Sequence, residues 1–452
     1  MHNTHITIVG AGLVGSLLAL MLAKRGHRVT VLERRPDLRK ERISAGRSIN
    51  LAISARGLDA LARVGLEEEA KAHAIPMLGR MVHAKDGSTS FQRYGKDDSQ
   101  HINSISRGWL NGMLMDHAEA AGAEIRFRQR VSALHDGGRE LVVHDEARGE
   151  TCTLHSDVCF GTDGAGSVVR AQLRTQGVLQ EHSETLAHGY KELEIPAGPN
   201  GSFAIEKNAL HIWPRGTYML IALPNQDGSF TVTLFLAYEG APSFMDLTTP
   251  GQVEAFFARD FADAKALMPT LTTDFFGNPT GHMVTVKSSP WHHDATLLLG
   301  DAAHAIVPFF GQGMNCGFED CSVLAELMDQ HEDWPTRMAR FDRARKPHAD
   351  AIADMAVENF VEMRDKTSDP TFVLHKAIEQ RLFKEFPDRF LSRYTLVSFS
   401  LQPYAFAARV GEVVSGIVTQ LAEGNRSADT IDLELASRLI HERLQPLLRE
   451  SA

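Results

Sequence analysis

Ile6-Thr7-Ile8-Val9-Gly10-Ala11-Gly12-Leu13-Val14-Gly15 is followed by an apolar helical pattern and then by Val29-Thr30-Val31-Leu32-Glu33-Arg34. The order is strand, glycine turn, helix, strand, acid. The glycines match G-x-G-x-x-G: Gly10 permits the tight turn, Gly12 lets a pyrophosphate approach the backbone, and Gly15 lets the helix pack close to the strand. The helix points its N-terminal amides and positive dipole end at the phosphates. Glu33 ends the second strand about twenty residues on, where a carboxylate accepts hydrogen bonds from a ribose diol. A glycine turn alone also occurs in other α/β proteins. With the strand before it, the helix after it and the acid at the end, this one reads as a dinucleotide site. Glu33 would repel a 2′-phosphate, so the pocket suits FAD or NAD better than NADP.

The 452 residues suffice for two or three domains with sizeable cores. Apolar residues at 43% and charged residues at 23% are ordinary for a globular protein, and a net charge of −10 argues against a general nucleic-acid binder. Cys152, Cys159, Cys316 and Cys321 show neither CxxC spacing nor a disulfide framework, which suggests a reducing cytoplasm. The N-terminus enters the first strand almost at once, so no signal peptide is expected. No run of about eighteen apolar residues occurs. The apolar stretch Tyr394 to Ala408 is broken by Gln402 and Pro403.

After Glu33 comes a basic, irregular stretch from Arg34 to Arg42. Gly46-Arg47-Ser48-Ile49-Asn50-Leu51-Ala52-Ile53-Ser54 then leads into a helix over Ala55 to Val64. This segment reads equally as a cofactor-lining loop or as an ordinary strand-helix connection. Gly79 to His83 and Ser90 to Tyr94 flank an Asp86-Gly87 turn and predict a hairpin. Arg80 and Tyr94 lie on opposite arms. A guanidinium fork with a phenol suits a carboxylate, and a solvated edge arginine is the plainer alternative. A helix follows from Ser106-Arg107 to about Ala121, and a second strand-to-helix turn is Gly161-Thr162-Asp163-Gly164.

From about Ala187 to Val286 the pattern predicts a mostly antiparallel sheet: Leu186 to Leu193, Phe203 to Ile205, Leu210 to Trp213, Tyr218 to Leu223, and Phe230 to Ala237. One helix, Pro250 to Leu267, interrupts it. Ala295 to Gly300 reads as a buried strand ending in Gly300-Asp301-Ala302-Ala303-His304. Pro308-Phe309-Phe310-Gly311-Gln312-Gly313-Met314-Asn315 leads into a helix over Cys316 to His331, and from Trp334 the chain is nearly all helical. Asp301 at a strand end suits a ribityl hydroxyl. His304 reads as structural, and His292-His293-Asp294 as a surface turn without metal-site spacing. No metal site is expected.

Three separated motifs, Gly10 to Gly15 with Glu33, Gly161 to Gly164, and Gly300 to His304, together resemble the single-component FAD-dependent aromatic hydroxylases of the p-hydroxybenzoate hydroxylase superfamily. Within it the chain most resembles the kynurenine 3-monooxygenase family. That closer likeness rests on Gly46 to Ala52, Gly79-Arg80-Met81, Arg93-Tyr94-Gly95, Val307 to Asp320, and Glu358-Asn359-Phe360-Val361-Glu362-Met363-Arg364-Asp365, so it reaches nearly the whole chain.

The resemblance implies an α/β fold: a Rossmann-like FAD-binding domain (1–72, 101–180 and 287–340), an inserted mostly antiparallel sheet for substrate (73–100 and 181–286), and a C-terminal helical region (341–452). It implies tightly but non-covalently bound FAD, with NADPH docking transiently because no second glycine fingerprint exists. Gly10, Gly12, Leu13, Val14, Gly15, Glu33, Arg34, Ala52, Arg107, Val131, Asp163, Asp301, Gly313, Met314 and Asn315 would meet the cofactor. Glu33 would take the adenosine ribose, Arg107 the pyrophosphate side, Asp301 the ribityl region, and Met314 and Asn315 the flavin ring. Asp163 belongs to a motif that serves both FAD and NADPH in the family. Arg80 and Tyr94 would bind the carboxylate of L-kynurenine. Asn359 and Tyr394 would lie at the substrate end, and Phe309 and Phe310 would help build a dry cavity. The reaction implied is NADPH- and O2-dependent ring 3-hydroxylation through a flavin C4a-hydroperoxide. Eukaryotic members carry a C-terminal membrane anchor, so a soluble, bacterial-type form is expected here, with a homodimer left open. A sister hydroxylase with another aromatic substrate, a flavin reductase without oxygen insertion, and a flavin-binding regulator remain as alternatives.

Overall fold

The computed structural model describes residues 4–41, 50–330, 332–365 and 369–450. Gly46-Arg47-Ser48-Ile49, part of the expected cofactor loop, lies outside them.

Strand His5–Val9 lies at the centre of a six-stranded sheet, between Arg28–Glu33 and Val158–Gly161 and parallel to both. Glu124–Phe127 and Thr296–Leu298 extend the sheet on either side. The Gly10 turn therefore leaves the carboxyl end of a central strand with neighbours on both sides, where open α/β sheets form their ligand crevice. Helix Leu13–Lys24 is apolar nearly all round and is buried to match. It packs under the helix Arg107–Ala120, and Ser106 starts that helix by accepting a hydrogen bond from the Trp109 amide.

A seven-stranded sheet runs in the order Thr280–Ser289, Gln180–Ile195, Phe230–Ala237, Met219–Pro224, Ala209–Pro214, Gly79–His83, Thr89–Arg93. Its pairs are antiparallel except Gly79–His83 with Ala209–Pro214, which are parallel. The hairpin and the later strands thus form one sheet, as Arg80 opposite Leu210 shows. The division expected at 286/287 falls inside Thr280–Ser289, which runs on to Ser289. On one face Trp213, Leu220, Val232 and Leu234 pack against Phe256, Phe257 and Phe261. The other face carries Ile212, Ile221 and Thr233 in register and turns toward the nucleotide sheet.

Three expectations need correction. The single helix over Pro250 to Leu267 is two, Pro250–Asp260 and Ala262–Lys265, broken at Phe261 (φ −138°, ψ 44°). Burying the Phe261 ring in the apolar core turns the chain there, and Asp260 is held by Tyr218 Oη at 2.9 Å and Lys85 Nζ at 2.9 Å. Phe203 to Ile205 is not a strand. It follows a turn at Gly201 (φ 75°), and Phe203 sets its ring edge-on to Phe230. His292–His293 is a short strand paired with Thr296 and Leu297, and His292 Nδ1 lies 3.1 Å from Asp342; the turn is confined to Asp294 (φ 47°).

From Trp334 the chain is helical, led by Trp334–Asp365 and including Pro370–Glu385, Arg393–Phe399 and Tyr404–Ala422. These helices share one continuous apolar core with the nucleotide sheet. Among the described residues no helix is long and apolar enough to cross a membrane.

Candidate active site

The glycine turn is built for close approach. At Gly10 (φ +101°) a Cβ would lie 2.8 Å from the Thr162 carbonyl oxygen. At Gly15 it would lie 2.0 Å from the Gly10 carbonyl oxygen and 2.6 Å from Thr162 Oγ1. Gly12 has no protein atom within 4 Å of its Cβ position, so its open side faces the space a phosphate needs. Glu33 is buried and accepts from the amides of Ala11 and Arg35, both at 2.9 Å. Oε2 is thereby held at the turn, Oε1 also pairs with Arg35 Nε at 3.0 Å, and Arg34 itself is exposed. Leu13 is buried, and Val14 packs so tightly on Gly300 that a Cβ there would come within 3.0 Å of its Cγ2. That contact brings the third motif against the first.

A cavity of about 880 Å³ lies between the nucleotide sheet, the seven-stranded sheet and the C-terminal helices. Arg107, Asp301, Gly313 and Met314 border one part of it, and Ala52 lines it while packing in the cluster of Tyr94 and Tyr394. Arg80, Tyr94 and Tyr394 border another part, and Phe309, Phe310 and Asn359 also line it. Met219, Ile221, Leu223 and Phe235 form an apolar wall from the sheet. The Asp301 side chain is exposed, and Arg107 and Arg170 lie near enough to favour its charged form.

Gly10, Gly12, Glu33, Val131, Asp163 and Asn315 do not border this cavity. Val131 is buried in strand Gln129–His135. Asp163 starts helix Val168–Thr175, accepting from Ser167 Oγ at 2.5 Å and the Val168 amide at 2.7 Å. Asn315 serves the site from behind. Its Oδ1 accepts from the Ser54 amide, and its Nδ2 donates to the Ala52 and Gly311 carbonyls, each at 2.9 Å. It thereby fixes two lining segments to each other.

At the far end the Arg80 guanidinium carbon lies 5.5 Å from the Tyr94 ring centroid and 4.9 Å from that of Tyr394. Arg80 Nε and Tyr94 Oη are buried without a partner of full hydrogen-bond geometry, although the Tyr94 and Tyr394 hydroxyls lie close enough to the guanidinium to favour its charge, and among the described residues no carboxylate pairs with Arg80. Burial, with Tyr394 beside it, pushes the Tyr94 phenol well above its ordinary value, so it stays a neutral donor. Buried polar atoms are normally satisfied. A cation without a counter-charge, beside a neutral phenol in an apolar cavity, therefore fits an anionic group brought by a ligand. Asn359 Nδ2 donates to the Phe309 carbonyl at 2.7 Å and sets the aromatic turn against helix Trp334–Asp365.

Residues outside the sequence reading also contribute. Glu192 lies opposite Thr233 and so faces the cavity side of the sheet; it is 7% exposed and its Oε2 has no partner. Burial pushes its carboxyl up to about 7, with Arg107 opposing. Its one signal in sequence is the alternation Tyr190-Lys191-Glu192-Leu193, which does not say which face is inner. Arg170 ties the second and third motifs together, donating to the Ala302 carbonyl at 2.9 Å and to the Ala165 carbonyl. His304, buried, sets its Nε2 2.6 Å from Asp320. Burial pushes Asp320 up, but His304 and Arg345 outweigh it and hold its carboxyl at about 2.

The family model described as "FAD binding domain" matches residues 3–356. A kynurenine 3-monooxygenase of Myxococcus xanthus is 59% identical over 449 residues, covering 99% of this chain and 97% of that protein. One from Stenotrophomonas maltophilia is 46% identical, covering 98% and 97%. Among solved structures, the tetrameric form of 2-methyl-3-hydroxypyridine-5-carboxylic acid oxygenase aligns with TM-score 0.68 at 18% identity, covering 83% of this chain and 96% of that one. Pseudomonas aeruginosa PqsL in complex with 2-aminobenzoylacetate aligns with TM-score 0.65 at 21% identity, covering 80% and 97%. These two likenesses concern the fold.

Proposed function

The chain belongs to the kynurenine 3-monooxygenases, flavoproteins built on the FAD-binding domain, and from that membership we propose that it hydroxylates L-kynurenine at the ring 3-position with NADPH and O2, the substrate carboxylate being held by Arg80 and Tyr94 with Tyr394 beside them. In this reading residues 1–72, 101–180 and 287–340 carry the cofactor, 73–100 and 181–286 face the substrate, and 341–452 close the remaining wall.

The residues present fit FAD. The open side of Gly12 and the absence of room at Gly15 make a phosphate cradle. Glu33 presents a buried carboxylate to a ribose, Arg107 offers a cation to the pyrophosphate side, and Asp301 an acceptor to the ribityl hydroxyls. When bound, FAD supplies hydride acceptance from NADPH and activation of O2 for transfer of one oxygen atom.

The chain's own groups position and exclude. Arg80 presents a fork to the carboxylate, and a charge-assisted pair inside an apolar cavity is strong. The Tyr94 phenol, neutral at working pH, donates a second hydrogen bond to the same group. Met219, Ile221, Phe235 and Phe309 surround the aromatic ring of the substrate and exclude water from it. The ring carbon ortho to the aniline amine is already electron-rich, so no strong protein base is required and orientation does most of the work.

The observation that carries this reading is Arg80 lining the cavity with its Nε unpartnered and no carboxylate partner among the described residues. The test is NADPH oxidation by the purified yellow protein in aerated buffer, with and without L-kynurenine, followed by mass spectrometry. Faster NADPH loss with a product heavier by one oxygen atom supports the reading. Faster loss with peroxide alone makes kynurenine an effector, and no response overturns the substrate assignment.

A further inference from the structure

Helix Arg393–Phe399 carries Tyr394 to the substrate end of the cavity, yet it spans only two turns. A helix so short has little stability of its own, so contacts with the rest of the fold must fix it. Besides the Ser392 cap and the Arg393–Glu358 pair at its start, it has a buried polar contact at its C-terminal end. Arg56 Nη1 donates to the Val397 carbonyl at 2.5 Å, and Nη2 donates to the Gln402 carbonyl just beyond. These include a carbonyl that the end of a helix leaves without an internal partner. Arg56 is 1% exposed, and its guanidinium carbon lies 3.9 Å from the Tyr404 ring centroid.

Arg56 is itself anchored. Its Nε meets Glu319 Oε1 at 3.1 Å, and Glu319 Oε2 takes Arg345 Nη1 at 2.7 Å. Arg345 Nε reaches Asp320 Oδ1 at 2.8 Å, and Asp320 Oδ2 accepts from the Gly300 amide at 2.9 Å. Gly300 directly precedes Asp301. A continuous line of charges, buried at Arg56, Arg345 and Asp320 and half-buried at Glu319, therefore runs from the turn before Asp301 to the helix bearing Tyr394, and each charge has an opposite neighbour. A buried pair adds little net stability over apolar packing but is costly to break, which makes the line a rigid spacer.

We propose that Arg56 is a positioning residue for substrate recognition: it fixes helix Arg393–Phe399 so that Tyr394 stays stacked on Tyr94 beside Arg80, and Glu319 anchors Arg56 to the cofactor-bordering turn. The inference rests on the reading of Arg80, Tyr94 and Tyr394 as the carboxylate site. Lysine in place of Arg56 keeps the charge but lacks the planar fork that spans two carbonyls and a carboxylate. The helix then loses one anchor and Tyr394 drifts.

The experiment is a double-mutant cycle on the holoenzyme with Arg56→Lys and Tyr394→Ala, reading FAD content, kcat, KM, and the L-kynurenine Kd from flavin fluorescence. Arg56→Lys should raise Kd and KM about tenfold, with kcat within about twofold and FAD content unchanged. In the Tyr394→Ala background the same change should add little, because the ring that Arg56 positions is then gone. Fully additive effects, or a fall in kcat accompanied by FAD loss, overturn the proposal. If Arg56→Lys does not fold, Glu319→Gln carries the test with the same rise in KM alone, and an unchanged KM counts against it. Arg80→Ala run in parallel separates the two ideas: an unchanged Kd there sinks the carboxylate site itself, whatever Arg56 does.

Discussion

The guanidinium of Arg80 lies 4.9 Å from the ring centroid of Tyr394, and Tyr394 stacks on Tyr94 with centroids 5.4 Å apart and planes 20° from parallel. The cation thus rests beside two π-faces, and its Nε is buried without a partner. Aromatic faces stabilise a desolvated guanidinium by roughly 0.5 to 2 kcal/mol each without using its N–H donors. The arrangement keeps the fork in place for an incoming anion.

Arg80→Ala should therefore raise the Kd for L-kynurenine about a hundredfold, the loss expected for a charge-assisted pair in a dry site, while FAD content stays at the wild-type level. Arg80→Lys should recover only part of the affinity, because an ammonium keeps the charge and loses the fork. Titration of flavin fluorescence with L-kynurenine measures both, and an unaltered Kd in the alanine variant would remove the carboxylate site.

Gly10 to Gly15 with Glu33 was readable because phosphate binding constrains local sequence: the turn, the close approach and the acid all lie within one βαβ unit. Arg80 and Tyr94 were visible as a pair because a hairpin joins them. Arg56 and Glu192 were not. Arg56 reads as an ordinary charge on an amphipathic helix, and its partners Val397 and Gln402 are backbone carbonyls far along the chain. Glu192 sits in an alternating strand whose inner face is decided only when Thr233 and Ile221 take up register beside it. The break at Phe261 was hidden for a similar reason: helical periodicity runs through it, and the demand of the core for one more ring overrides it.

Gly12→Ala and Gly15→Ala should fail in different ways. A methyl at Gly12 meets no protein atom within 4 Å, and its φ of −74° suits alanine. That variant should fold with an unchanged apoprotein melting temperature but bind FAD at least tenfold more weakly, since the methyl occupies the phosphate's approach. A methyl at Gly15 would sit 2.0 Å from the Gly10 carbonyl oxygen, so the strand and helix must separate. That variant should melt lower even without FAD. Equal melting losses in both would refute the distinction.

Asp320→Asn should destabilise the protein by about 3 to 5 kcal/mol, the usual result of leaving buried cations with one carboxylate fewer. His304 and Arg345 both contact Asp320. In the native pair Asp320 is held at about 2 and His304 well above its ordinary value. The carboxylate's contribution is lost as pH falls through about 2, and the imidazolium's as pH rises through its elevated folded value. Both are fully present between roughly pH 4 and 6.5. The melting gap between wild type and variant should be widest in that window, and a gap that is flat from pH 3 to pH 9 would count against the pair.

Glu192 supplies the opposite pH signature. Burial raises its carboxyl to about 7, and Arg107 opposes that only in part. Between the ordinary carboxylate range and about 7 the folded protein binds this proton while the unfolded chain has released it. Folding stability therefore falls as pH rises through the window and levels off above it. Glutamine is close in shape to the protonated acid and cannot ionise, so Glu192→Gln should match wild type near pH 5. It should then exceed wild type by about 2 to 3 kcal/mol at pH 8, the upper limit set by the size of the shift. The open Oε2 faces the same side of the sheet as Thr233, which lines the cavity. If that oxygen accepts a donor from bound cofactor or substrate, FAD or kynurenine will offset part of the penalty, and the advantage of the variant will shrink in the loaded enzyme. Thermal melts of both proteins at pH 5.5 and 8.0, with and without L-kynurenine, measure each step. A variant no more stable than wild type at pH 8.0 would show that Glu192 is not the buried acid its surroundings imply.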